Sequence, residues 1–439
     1  MTTGAGRVDT QRGSEPGARS LRSSLSGFGV DVRLLGMVIA LAVLWVVFNF
    51  LSDGRFLTPR FLWNLSVQSA AVAVMTTGMV LIIVSRNIDL SVGSVLGFTA
   101  MVMGLLQVDW LPNVFGLGLN APGTWIIVVI VGIALGALIG ALQGFVIAFV
   151  GVPSFVVTLG GLLIWRGAAF ALASGRTIAP LDPTYQLLGG GPQGSLGATL
   201  SWVVAGIAIV LIAIGIVANR RRRRRYGFPL RPMWADAAIG VVASLLVAGA
   251  VWIANAYPWP PALAEKYAND HGIAIPAGGL IIPTGIANPV LIAIGIAVLM
   301  AFIAQRRKFG RYVYSIGGNP EAAVLAGINT RATIMKTFIV MGALAAVAAV
   351  IVTARLNAST SALGTGAELQ VIAAAVIGGT SFAGGIGTIA GGVLGAVIIQ
   401  SLTSGMTLIG IPNSGQDIVA GIVLIVAVGF DSWLRRRRG

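Results

Sequence analysis

The sequence predicts an all-α polytopic membrane protein with about twelve transmembrane helices, ten at the fewest, some broken or re-entrant, and both termini cytoplasmic. Three observations carry this expectation. Of 439 residues, 56% are hydrophobic and 10% charged, whereas a soluble domain carries about 25% charge. The mean hydropathy is +0.91. Apolar runs close to the ~20 residues that a helix needs to cross a bilayer recur along the chain.

The runs fall at 34–51, 67–84, 91–107, 124–150, 154–174, 198–218, 234–257, 285–305, 332–354, 368–383, 386–410 and 416–434. Residues 1–33 are rich in Gly, Ser and Arg, with no compact apolar segment or cleavage site, so they read as a cytoplasmic tail and the first run as a retained helix. One transmembrane domain is expected over 34–434, with a basic cytoplasmic tail at 435–439.

Sidedness follows from Lys and Arg near span ends, because short basic loops stay in the cytoplasm. Arg7, Arg12, Arg19, Arg22 and Arg33 precede the first run, and Arg220 to Arg225 follow the sixth. Arg306, Arg307, Lys308 and Arg311 follow the eighth, and Arg435 to Arg438 end the chain. An even number of runs separates each successive pair, so the blocks agree. The loops at 175–197 and 258–284 then lie outside.

Two runs are weak. Residues 91–107 are short and glycine-interrupted, and 368–383 contain Gly378-Gly379-Thr380-Ser381. Each reads either as a broken or re-entrant helix lining the functional interior or as a plain helical hairpin. Gly132, Gly136, Gly140 and Gly144 form a stripe, as do Gly387, Gly391 and Gly395. These are faces for close helix packing and do not identify a substrate.

Composition excludes several chemistries. With no cysteine and one histidine, disulfides, cysteine clusters and His-rich metal sites are ruled out. None of the three lysines, Lys266, Lys308 and Lys336, sits in a phosphate-binding G-x-x-x-x-G-K-[ST] loop. If ATP drives this chain, another subunit binds it. The net charge of +15 lies in short blocks beside apolar runs, which are topology signals and not a nucleic-acid surface.

An intramembrane hydrolase is disfavoured, since G-x-S-x-G is missing and His271 reads as a solvated residue of an external loop. An ion-coupled carrier needs buried acids. Asp236, Glu368 and Asp417 lie near the ends of runs and Asp89 at an edge, so no run holds a central carboxylate. Lys336 is close enough to its span end to snorkel.

Two segments are candidates for chemistry. Ser85-Arg86-Asn87-Ile88-Asp89-Leu90-Ser91-Val92-Gly93-Ser94 is the densest polar cluster beside a span. Asp89 reads either as a helix cap with Arg86 as its nearest counter-charge or as a substrate contact. The second segment runs from Phe309 to Ile328, within a cytoplasmic loop at 306–331. There Asn319 suits a helix cap, Pro320 the first turn, Glu321 the positive helix end and Gly327 the stop. A helix of two turns is marginal alone, so a partner surface or the membrane interface must hold it.

At these residues the chain resembles the permease subunits of bacterial ABC importers for sugars, of the ribose, arabinose and xylose type. The resemblance rests on Asn87 to Ser94; on Pro153-Ser154-Phe155-Val156-Val157-Thr158-Leu159-Gly160-Gly161 with Trp165-Arg166-Gly167; on Phe309 to Ile328; and more weakly on Gly378 to Gly395. It implies that Glu321-Ala322-Ala323-Val324-Leu325-Ala326-Gly327 is a coupling helix docking on an ATPase, with Gly310, Arg311 and Asn319 in the same coupling element. It also implies a homodimeric permease, an ATPase on another chain that carries ATP and Mg, and an external sugar-binding protein. The chain itself is expected to bind no cofactor and to have no catalytic site.

For the sugar path, Asn87, Asp89, Ser91 and Ser94 are expected to contribute with Phe155 and Thr158; helix packing is the alternative for all six. Residues 196–258 look like a two-helix insertion of the longer xylose-type permeases, with Arg220 to Arg225 as a positive-inside anchor or anionic-lipid contact. The expected substrate is a monosaccharide, a pentose such as xylose. A nucleoside or a branched-chain amino acid remains an alternative.

Overall fold

The computed structural model describes residues 32–119 and 121–436; the side chains of 32, 33, 427, 428 and 430–436 are not described. The basic tails expected at 1–33 and 435–439 thus fall almost wholly outside it. The elements are α1 (Val32–Leu51), α2 (Pro59–Val84), α3 (Val92–Phe115), α4 (Thr124–Val150), α5 (Ser154–Ala173), α6 (Gly197–Arg225), α7 (Met233–Asn255), α8 (Pro261–His271), α9 (Asn288–Arg306), α10 (Lys308–Gly318), α11 (Pro320–Leu325), α12 (Thr330–Leu356), α13 (Ala367–Ile377), α14 (Ile389–Leu408) and α15 (Asn413–Arg436). Ten of these, α1 to α7, α9, α12 and α14, are long and apolar enough to span a bilayer, and α13 and part of α15 are shorter apolar helices. The chain is an all-α, multi-pass membrane protein.

The two weak runs resolve differently. Residues 92–107 belong to the 24-residue α3, which carries a π turn at Leu106–Trp110. The 368–383 run is helical only over the 11 residues of α13, about 16 Å, which is too short to cross alone.

Centrally placed α2 and α3 are almost wholly buried, and α12 packs along α4. The α4 glycine stripe permits this approach. A methyl at Gly136 would collide with the Gly342 carbonyl oxygen, and one at Gly140 with that of Phe338. Gly391 and Gly395 likewise abut the carbonyls of Gly378 and Ala374 on the α13 side. Inside lipid, where apolar burial gives no net drive between helices, such close packing is a main source of association.

An antiparallel bridge between Ser195 and Ala287 sets the starts of α6 and α9 at one end, so Arg220 to Arg225 and the 306–311 block emerge together at the other. By the positive-inside rule that end faces the cytoplasm. Residues 196–258 hold the α6–α7 hairpin, pinned by Arg220, whose Nη1 donates to Asp236 Oδ2 at 2.7 Å and to the Arg231 carbonyl at 3.0 Å.

An expected loop contains a helix. Pro260 and Pro261 open α8 in the outer 258–284 segment. His271 is therefore exposed, as expected, but as the last residue of a helix, its ring centroid 4.1 Å from that of Tyr267.

Candidate functional site

Past Val84 the chain turns back into the bundle. Arg86 takes φ +63°, a left-handed conformation that redirects its side chain. Arg86 Nε donates to the Gly317 carbonyl at 2.8 Å and Nη2 to that of Gly318 at 3.0 Å. Arg86 is thus anchored on α10 and does not serve as the counter-charge expected for Asp89.

Asp89 is buried and finds its partners locally, accepting from the Ser91 amide at 2.8 Å and the Ser91 hydroxyl at 2.6 Å. The cap position of α3 is Ser91 and not Asp89. Ser91 Oγ also lies 3.0 Å from Gln143 Oε1 on α4. On α5, Thr158 Oγ1 donates to the Ser154 carbonyl at 2.9 Å and reaches that of Ile88 at 3.3 Å.

The structure therefore brings Asp89, Ser91 and Thr158 together around a turn held by α4 and α5. Asn87 is engaged locally, its Nδ2 donating to Ser85 O at 3.0 Å. Phe155 stands apart, 51% exposed on the outer face of α5. Ser94 lies one turn up α3, buried, with its hydroxyl unpartnered.

The cytoplasmic segment at 306–331 comprises two helices where one was expected. Phe309, Val313 and Ile316 give α10 an apolar stripe, and Gly310 sits so close to α9 that a Cβ would strike the Ala304 carbonyl. Arg311 is exposed on the opposite side. Asn319 Oδ1 accepts from the Ala322 amide at 3.0 Å and so caps α11, with Pro320 at its first position. Ala323 is the buried contact of α11, while Glu321, Ala322, Val324 and Leu325 face outward, Leu325 at 89% exposure. Gly327 ends the element at φ +76°, with no atom near its missing Cβ.

Behind these helices lies a node of close contacts. A Cβ at Gly317 would overlap the Val84 carbonyl oxygen. Gly385 N donates to the same oxygen at 2.9 Å, and Tyr314 OH donates to the Gly387 carbonyl at 2.7 Å. Burial pushes the Tyr314 hydroxyl above its ordinary range, so it stays a donor at neutral pH. The end of α2, the helix α10 and the glycine loop after α13 are thereby tied at one place.

A third cluster was not expected. Arg166 Nη2 of α5 lies 4.0 Å from Glu368 Oε1 in the first turn of α13. Glu368, read from sequence as lying near the end of a run, is deep in the bundle. Its signal was present in the Trp165-Arg166-Gly167 motif, an arginine inside an apolar run with no assigned partner.

Comparison with known proteins extends over nearly the full chain. The xylose transport system permease protein XylH of Haemophilus influenzae is 35% identical over 403 residues, 92% of this chain and 97% of the relative. XylH of Escherichia coli K12 is 35% identical over 410 residues, 93% of this chain and 94% of its own. The ribose import permease protein RbsC of the same organism is 30% identical over 396 residues, covering 90% and 92%. No solved structure matches. The family model described as "Branched-chain amino acid transport system / permease component" matches residues 61–428, and the chain belongs to that family.

Proposed function

We propose that this chain is the membrane permease subunit of an ATP-driven importer for a monosaccharide, a pentose such as xylose. In this reading it works as two copies with a separate ATPase, which holds ATP and Mg, and an external binding protein that delivers the sugar. The chain is then a transporter component without catalysis of its own. Xylose is favoured because the XylH relatives match over almost their whole length.

The observation that carries the coupling part is α11. Leu325 and Val324 project from the cytoplasmic end, while the base of α11 is fixed by the Asn319 cap and by Ala323. An exposed apolar tip on a fixed base suits a groove in a partner. Gly310, Arg311, Asn319, Glu321, Ala322, Ala323 and Gly327 are assigned to this element.

Movement of α11 would pass through α10 to three places at once: the end of α2 through Gly317, the turn carrying Asp89 through Arg86, and the loop after α13 through Tyr314 and Gly385. A docked lever of this kind can bias two arrangements of a bundle according to nucleotide state. Asn87, Asp89, Ser91, Ser94, Phe155 and Thr158 are retained as path candidates. The hydrogen bonds of Asp89, Ser91 and Thr158 favour a supporting role for those three, and Ser94 is the best placed to meet a sugar.

The test is reconstitution of the permease with candidate ATPase and binding protein in liposomes, following ATP-dependent uptake of labelled xylose, ribose, allose and leucine. Xylose uptake dependent on all three components is expected. Leucine uptake without sugar uptake would replace the substrate assignment. An ion-coupled carrier is the second reading, and Glu368 now favours it more than the sequence did; uptake driven by an ion gradient without ATPase would establish it.

A further inference from the structure

The depth of Glu368 follows from two registers. Ala374 abuts Gly395 and Gly378 abuts Gly391, so antiparallel pairing sets Glu368 level with Ser401, about 18 Å along α14 from its cytoplasmic start. Arg166 lies twelve residues into α5, again about 18 Å from that end. Both groups are therefore near the middle of the membrane.

Around the 4.0 Å ion pair several polar atoms make no hydrogen bond. Glu368 Oε2, Arg166 Nη2, Trp165 Nε1 and Ser94 Oγ are buried without a hydrogen bond, Glu368 at 7% exposure and Ser94 at 2%. Gly93 borders the cluster, since a Cβ there would run into Glu368 Oε2. Unsatisfied groups of this kind are costly at membrane depth unless something else meets them.

The backbone alongside is also unusual. Residues 357–366 are non-helical and descend beside α3, with Ser359 Oγ donating to Ala100 O at 2.8 Å and the Leu363 carbonyl lying against Gly97. Ala362 and Thr365 are exposed on the surface of this single chain, and the Arg166 side chain is 38% exposed. Irregular backbone at this depth is not stable against lipid; it requires protein cover or a water-filled cavity.

We propose that Arg166, Glu368 and Ser94, with the 357–366 segment, form a mid-membrane sugar-binding station on an aqueous path whose other wall is a second copy of this chain. This rests on the importer reading above. A carboxylate accepts from sugar hydroxyls, a guanidinium donates to them, and the opposed charges leave no net charge that would favour an ion over a neutral polyol.

The chain has no cysteine, so single-cysteine variants need no background substitutions. In the reconstituted complex, Thr365→Cys should react with a charged, membrane-impermeant methanethiosulfonate about tenfold faster than Leu163→Cys, which lies on the outer face of α5. Adding xylose, binding protein and ATP should slow that reaction. Glu368→Gln should lower uptake about tenfold, through lost hydrogen bonds to a charged group, with ATPase assembly unchanged. Thr365→Cys as inert as Leu163→Cys, or reactive but unprotected by the sugar, overturns the station. If the unmodified complex transports no sugar while the labelling contrast persists, the importer reading fails and the aqueous path stands.

Discussion

Arg86 holds the carbonyls of both Gly317 and Gly318, at 2.8 and 3.0 Å, across 231 and 232 residues of chain. The turn that carries Asp89 and the end of α10, from which α11 springs, are thus joined by one side chain. A guanidinium can bind two successive carbonyls through a fixed fork, whereas an ammonium is a point charge.

Arg86→Lys should therefore behave almost like Arg86→Gln. The residue is mostly exposed, and losing the two bonds costs on the order of 1 kcal/mol, about fivefold in the coupling equilibrium. The expected result in proteoliposomes is retained ATP hydrolysis with fewer sugars moved per ATP; an unchanged ratio would remove Arg86 from the coupling route.

Leu325→Asp should abolish retention of the ATPase without altering permease stability, because the side chain touches little of its own chain. Gly327→Leu acts differently. No atom blocks a side chain there, but a left-handed backbone costs a non-glycine residue roughly 1–2 kcal/mol. That strain falls on the end of α11, so ATPase binding should persist while uptake drops. Pull-down alongside uptake separates the two variants.

Around Asp89, stability and transport can be read apart. Ser91→Ala removes a hydroxyl donor from a buried carboxylate and should destabilise by about 1.5–3 kcal/mol. Asp89→Asn keeps an acceptor for both Ser91 donors and should be milder. If both variants keep the wild-type melting temperature yet lose uptake, the turn is a substrate contact and not a support.

Gly342→Ala should disturb the packing of α12 on α4. Its Cβ would meet the Gly136 carbonyl, a backbone atom that can yield only if α4 and α12 move apart. Overpacking of this sort costs roughly 1–3 kcal/mol. Thermal unfolding in detergent, followed by size exclusion, reads the loss.

Much of this architecture was legible in the sequence because lipid leaves few choices. Apolar runs gave the helices, the Arg blocks at 220–225 and 306–311 their shared end, and four-residue glycine spacing the faces now seen to meet carbonyls. Asn319, Pro320 and Gly327 announced α11 because each answers a local backbone demand. Long-range consequences were less visible. Arg86 and Asp89 looked like partners from their spacing, but the left-handed turn at Arg86 sends its side chain to α10. The Phe309, Val313 and Ile316 spacing of α10 was available and passed for loop. Glu368 was misjudged because the end of an apolar run lies at the interface only when the run is a full span, and α13 is half of one.

That half-length has a consequence for biogenesis. Residues 357–366 and α13 leave the outer end of α12 and reach the cytoplasmic start of α14, so together they cross the membrane. Neither part could partition into lipid by itself: one lacks helical hydrogen bonds and the other begins with a carboxylate. Their place exists only after α2, α3, α5 and α14 have gathered around it. The crossing is then completed by docking into an assembled bundle, as a late step of maturation that follows insertion of the long helices.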